Sequence, residues 1–127
     1  MLFDTDVLIW VLRGNNNAVN VINSTKERSI SIVNYMELIQ GARNKQEQLL
    51  IQRFLNDNNF IVLPISEAIS RRAMNLIEQY ALSSGLRVAD ALVFATACEH
   101  SLILCSANQK HFRVVSSLKS QVFSPNN

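Results

Sequence analysis

Four short apolar segments recur along the chain: Leu2 and Phe3, SISIV at 29–33, FIVLPI at 60–65 and LILCS at 102–106. They are rich in β-branched, aromatic and aliphatic residues, and each is short enough for a strand. Between them lie stretches with helical spacing at 5–13, 16–24, 34–43, 45–57, 67–83 and 88–100, with Ser66 placed to cap the fifth. In the stretch 45–57, Leu49, Leu50, Arg53 and Phe54 read as an apolar stripe with charge interleaved. Strands that are apolar on both faces and alternate with helices describe a parallel sheet covered on both sides, because each right-handed crossover lays its helix on one face. The expected class is α/β, a three-layer sandwich with a central parallel sheet of four or five short strands flanked by helices.

The 127 residues, 48% of them hydrophobic, suffice for one compact core and are too few for two ordinary domains, so a single domain over 1–127 is expected. A formal charge of +2 is too mild to imply nucleic-acid binding by itself and is compatible with a local basic patch. Cys98 and Cys105 sit in apolar surroundings with no second cysteine pair or histidine cluster, which favours reduced core thiols over a zinc site. The run VLIWVL follows two acids rather than a basic leader, and no apolar run approaches the roughly 18 residues of a membrane span. A cytoplasmic protein is the expectation.

In open α/β sheets the site lies beyond the carboxyl ends of the strands. Acids stand there: Asp4 and Asp6 after the first strand, Glu37 in NYMELIQGA after SISIV, and Asp90 at the start of VADALVFATACEH. Any one of them has a plain explanation, since a carboxylate in a first helical turn gains about 0.3 to 1 kcal/mol from the helix dipole. Asp90 resists that explanation because its helix is otherwise apolar through Ala91, Leu92, Val93, Phe94 and Ala95, and Glu37 poses the same problem between Met36 and Leu38. Converging carboxylates about 4 Å apart repel by roughly 4 kcal/mol per pair at an effective dielectric near 20. A hard divalent cation, Mg²⁺ or Mn²⁺, relieves that repulsion and suits metal-assisted phosphodiester hydrolysis. The sequence has no GxxxxGK[ST], GxGxxG, HExxH or GxSxG motif to suggest another chemistry, and His100 reads as a helix C-terminal residue.

Taken together, these motifs resemble the PIN-domain ribonucleases, in particular the VapC-type toxins of toxin-antitoxin pairs, over nearly the whole chain. LFDTDVLIWVL resembles the family's first motif, with Asp4 on its first metal-binding acid. YMELIQGA resembles the second and places Glu37, GLRVADALVFATA the third and places Asp90, and LILCSANQKHF the last strand and turn. The resemblance implies a PIN-like sandwich and a Mg²⁺-dependent endoribonuclease that cuts structured RNA, tRNA among the candidates, and is silenced by a cognate antitoxin. It implies catalytic roles for Asp4, Glu37 and Asp90, with Asp4 and Asp90 holding the metal and Glu37 and Asp6 as further ligand candidates. It also implies a homodimer.

The chain departs from the family pattern in the last motif, where a fourth acid is expected and residues 100–127 contain none. Asn108 and His111 stand at the two positions in question, and Ser106 where threonine is common. Thr5, Ser106, Asn108 and His111 are therefore expected to position substrate or the other site groups, and Asp6 is the candidate for the missing charge. The alternative is a weak or inactive PIN-like module that binds RNA or protein. A structure-specific DNA nuclease fits less well, lacking a substrate-threading insertion. Arg43, Lys45, Arg87, Lys110 and Arg113 are the RNA-binding candidates, with Arg13 farther off and Arg71 and Arg72 as surface or dimer-interface residues. Apolar stripes on 16–24 and 45–57 could receive an antitoxin helix in a groove.

Overall fold

The computed structural model describes residues 1–108, 110 and 115–126; the expected site residues His111 and Arg113 lie outside the described residues. In chain order the elements are β1 (Leu2–Phe3), α1 (Thr5–Leu12), α2 (Asn16–Asn23), β2 (Ser29–Ser31), α3 (Ile32–Gln40), α4 (Lys45–Asp57), β3 (Ile61–Leu63), α5 (Glu67–Ser84), α6 (Val88–Glu99), β4 (Leu104–Ser106) and β5 (Ser120–Val122). The strands form one parallel sheet in the order β3-β2-β1-β4-β5. It is the α/β sandwich expected, with β1 at the centre.

Alternation of side chains across the strands divides the interior in two. Leu2 and Leu104 point into a core with Ile69, Leu76 and Phe94, whereas Phe3 and Cys105 point into one with Val7, Leu8, Ile22, Ile51 and Leu55. Strands β1 and β4 are apolar on both faces for this reason, whereas β2 turns Ser29 and Ser31 to one side and Ile30 to the other. Helix α6 buries Ala91, Val93, Phe94, Ala95, Thr96 and Ala97, which leaves almost no polar side to it. Ser66 caps α5 by accepting the Ile69 N–H at 3.1 Å, and Gly85 ends that helix at φ +70°, a left-handed conformation that favours glycine.

Several boundaries differ from the sequence expectation. The segment SISIV is not a strand to 33: β2 stops at Ser31 and Ile32 and Val33 begin α3, because Ser31 caps the helix by accepting the Asn34 N–H at 3.0 Å. Helix α3 correspondingly ends at Gln40 rather than at 43. The first and third strand segments are not covered alike: β3 is an edge strand with Ile61 58% exposed, so apolar composition did not mean burial there. Strand β5, on the other edge, is polar and exposed and has no apolar signature. On α4 the buried residues are Ile51 and Leu55, with Phe54 packed beside them, while Leu49 and Leu50 face solvent.

Candidate active site

The strand register builds the site. Leu2 pairs with Ser29 on one side and Leu104 on the other, so two residues farther along Asp4 falls between Ser31 and Ser106, at the carboxyl ends of three adjacent strands. The Asp4 N–H donates to the Cys105 carbonyl at 2.9 Å, which extends the pairing to this point. Asp4 is also the N-cap of α1, its Oδ1 accepting the Thr5 N–H at 2.9 Å. It is therefore both cap and site residue.

Around it lies a pocket of about 250 Å³ lined by Asp4, Thr5, Asp6, Asn34, Glu37, Asp90 and Asn108, with Ile9, Ala89, Val93 and Phe94 as its apolar wall. The four acids expected from the sequence thus converge on one cavity. Ser106, fully buried, donates to Asp4 Oδ2 at 2.8 Å. Thr5 Oγ1 donates to Glu37 Oε1 at 2.8 Å. Asn108 lines the pocket with its Oδ1 accepting the Lys110 N–H at 3.1 Å, so its amide group is left to donate.

One expectation needs correction. Glu37 lies past the first turn of α3 and is exposed, as is its neighbour Met36, so it is not the buried carboxylate that its apolar neighbours suggested. Asp6 does occupy the first turn of α1, but its side chain leaves that helix to hold the end of β4. Its Oδ2 accepts the backbone N–H groups of Ala107 and Asn108, each at 3.1 Å, and lies 3.3 Å from the Ser106 hydroxyl. The first motif therefore shapes the last one.

Asn34 is a site residue that sequence reasoning missed: it is 1% exposed, and its Nδ2 lies 3.1 Å from Asp4 Oδ1, 2.7 Å from Thr5 Oγ1 and 3.0 Å from Glu37 Oε1. The available signal was Ser31 three residues earlier and Glu37 three residues later, a helix start followed by a shared helix face. Taking SISIV as a strand to its end concealed it.

Burial, followed by the Asp6 charge, pushes the Asp4 carboxyl up to about 6, against the Ser106 hydroxyl and Thr5 N–H that favour its anion. Burial also raises Asp6, opposed by the N–H groups of Val7, Ala107 and Asn108. Asp6 Oδ1 is buried without a hydrogen-bond partner among the described residues. The Cys105 thiol, behind the same acids, is pushed up to about 11 by burial first and then by their charge.

These features fit a hard divalent cation. The donors are carboxylate oxygens, one of them, Asp6 Oδ1, is buried without a partner among the described residues, and the neighbouring Asp4 carboxyl is costly to ionise. Among the described residues no cage of three or more His, Cys, Asp or Glu side chains is placed to hold a metal ion. Mg²⁺ does not require one, since it commonly takes one or two carboxylates and keeps several waters.

A family model, PIN domain, matches residues 1–117. The chain belongs to the PIN-domain family. Solved structures share its fold: a toxin-antitoxin complex from Klebsiella pneumoniae has 29% identity and a TM-score of 0.79, covering 98% of this chain and 96% of that one. FitAcB from Neisseria gonorrhoeae has 24% identity and a TM-score of 0.76 over 98% and 96% of the two chains. VapBC-1 from nontypeable Haemophilus influenzae has 19% identity and a TM-score of 0.81 over 95% and 96%. Comparison with curated proteins gave no match.

None of the described basic residues of this PIN domain lines the acidic pocket. Arg13 and Arg43 line a neighbouring groove of about 560 Å³ between α1, α3 and α4, which shares Ile9 and Glu37 with the pocket. Arg13 lies 5.6 Å from the Trp10 ring centroid, and Arg43 pairs with Glu47 at 3.0 Å. Lys45, Arg87 and Lys110 are exposed. Arg71 and Arg72 pair with Glu67 at 2.9 Å and Glu99 at 2.7 Å, as surface residues.

Proposed function

We propose that the chain is a Mg²⁺- or Mn²⁺-dependent endoribonuclease acting on structured RNA, tRNA among its candidate substrates, and that it is the toxin of a toxin-antitoxin pair. The observation that carries the reading is the convergence of Asp4, Asp6, Glu37 and Asp90 on one pocket at the carboxyl ends of the central strands. When bound, the cation supplies Lewis-acid stabilisation of phosphoryl charge and lowers the pKa of water. Asp4 and Asp90 hold it, with Asp6 and Glu37 as further ligands. Glu37 Oε1 is occupied by Thr5 and Asn34, so Oε2 is the oxygen that turns to an attacking water and takes its proton. The Asn108 amide donates to a phosphate oxygen, replacing with a neutral donor the acid common in the family. Arg43, Lys45, Arg87 and Lys110 contact the RNA backbone outside the pocket.

The antitoxin partner is supported by the Klebsiella pneumoniae structure, itself a toxin-antitoxin complex. The groove beside the pocket, with Leu12, Leu38, Leu50 and Ile51 on its walls, suits an amphipathic segment of such a partner. We also read the chain as one domain, cytoplasmic, and as a homodimer that covers exposed Met74, Leu82 and Val88 on α5 and α6. No described helix is long and apolar enough to cross a membrane.

Incubation of purified protein with RNA tests the activity: cleavage requires Mg²⁺, stops with a chelator, and falls at least about 100-fold in Asp4→Asn and Asp90→Asn, the scale on which removing a group that stabilises transition-state charge acts. Cleavage indifferent to the chelator, or retained by Asp90→Asn, overturns it. A second reading, a PIN-like module that binds RNA or protein without cutting, is favoured by Asn108 and by the missing cage among the described residues. Cleavage that depends on Asp4 excludes it.

A further inference from the structure

We propose that Asn34 is the positioning residue of this site, a neutral clamp that sets Asp4 and Glu37 for the cation; the inference rests on the metal-binding reading above. Hydrogen-bond direction fixes its role. Ser31 Oγ accepts the Asn34 N–H at 3.0 Å and donates its one proton to Asn34 Oδ1 at 2.9 Å. That interaction turns the amide so that Nδ2 faces the acids. Its two protons meet three acceptors, Asp4 Oδ1, Thr5 Oγ1 and Glu37 Oε1, all within 3.1 Å. The Thr5 proton is directed to Glu37 Oε1, so Thr5 serves as the relay between the amide and that carboxylate.

The choice of an amide follows from electrostatics. Lysine or arginine in this place would restrain both carboxylates but would also neutralise them and compete with the cation. Leucine would leave two carboxylates facing each other with no donor between. An amide donates to both and subtracts no charge, so their attraction for a cation is preserved. Its position in the first turn of α3, capped by Ser31 at the end of β2, ties the clamp to the sheet rather than to a loop.

Mg²⁺ titration by calorimetry on the full chain tests this with Asn34→Thr and Asn34→Val, two side chains of nearly the same shape of which only threonine carries a donor. Metal-free melting is recorded for both. The expected result is that Asn34→Val binds Mg²⁺ about 10- to 100-fold more weakly than wild type, the range found when a group orienting a metal ligand is lost. Asn34→Thr retains most of the affinity, and the two variants melt together. Equal affinities in the two variants, or failure of both to fold, overturn the proposal and make Asn34 a packing residue. If the wild type itself binds no Mg²⁺, the metal-binding reading of the site fails instead, and the clamp with it.

Discussion

At the scale of single residues, Asp4 and Asp6 look interchangeable in the sequence and do different work in the structure. Asp4 is central, half-buried and bonded to the ends of two neighbouring elements, Thr5 and Ser106. Asp6 faces the β4 terminus, where one oxygen receives two backbone N–H groups and the other receives none. Asn in place of Asp6 keeps an acceptor for those N–H groups and removes the charge, whereas Ala removes both. Asp6→Ala is therefore expected to lose about 1 kcal/mol of stability, since the half-buried Ala107 N–H is left unpaired while the exposed Asn108 N–H keeps the Ser106 hydroxyl as acceptor. Asp6→Asn loses less in denaturant unfolding. Mg²⁺ affinity reads the other half of the role: if Asp6 supplies the charge that Asn108 lacks, Asp6→Asn weakens binding, and unchanged affinity shows that it only shapes the β4 turn.

At the scale of elements, two serine caps that look alike have different consequences. Ser66 caps α5 far from the pocket and Ser31 caps α3 beside it. Replacing either with Ala removes a cap and costs about 0.5 to 2 kcal/mol. Only Ser31→Ala also frees the Asn34 amide to turn, so only that variant is expected to weaken Mg²⁺ binding, and calorimetry on the two variants separates cap from clamp. The helices were legible in the sequence because an apolar stripe repeats over several turns, and Lys45–Asp57 was read to the residue. The three-residue strands were legible at the sheet centre, where both faces are apolar, but not at β5, where neither is. The acids were legible as polar residues at junctions between apolar elements. Asn34 was not, since its significance lies in which groups the β2 to α3 junction brings within 3.1 Å of it, and that junction falls inside an apolar run. Likewise Glu37 kept its place in the motif while its inferred burial proved wrong, because Met36 beside it is itself exposed and only Leu38 turns into the core.

At the scale of the whole molecule, the sheet that separates the two cores gathers its acids at one end, and the cost of ionising Asp4 there falls on the stability of the fold. The Asp4 carboxyl has an ordinary value of 3.8 and is raised to about 6 in the folded chain. The folded state thus holds its proton more tightly than the unfolded state, so this stabilising contribution is fully present below pH 3.8 and is lost as pH rises through about 6. The difference corresponds to about 3 kcal/mol. Glu47, held below its ordinary value by Arg43 at the surface, acts in the opposite direction as pH falls, so the Asp4 contribution must be isolated by comparison. Unfolding of wild type and Asp4→Asn across pH 4 to 7 without divalent ions isolates it: the wild type should lose stability relative to the variant as pH rises, by an amount on the order of 3 kcal/mol. A cation that binds the ionised site reverses the loss. Mg²⁺ at 100 times its Kd should stabilise the wild type by about 2.7 kcal/mol at neutral pH. The effect should be smaller near pH 5, where the proton competes, and largely absent in Asp4→Asn. A wild-type curve parallel to that of Asp4→Asn, with or without the ion, would show that the carboxylate is neither costly to bury nor part of a cation site.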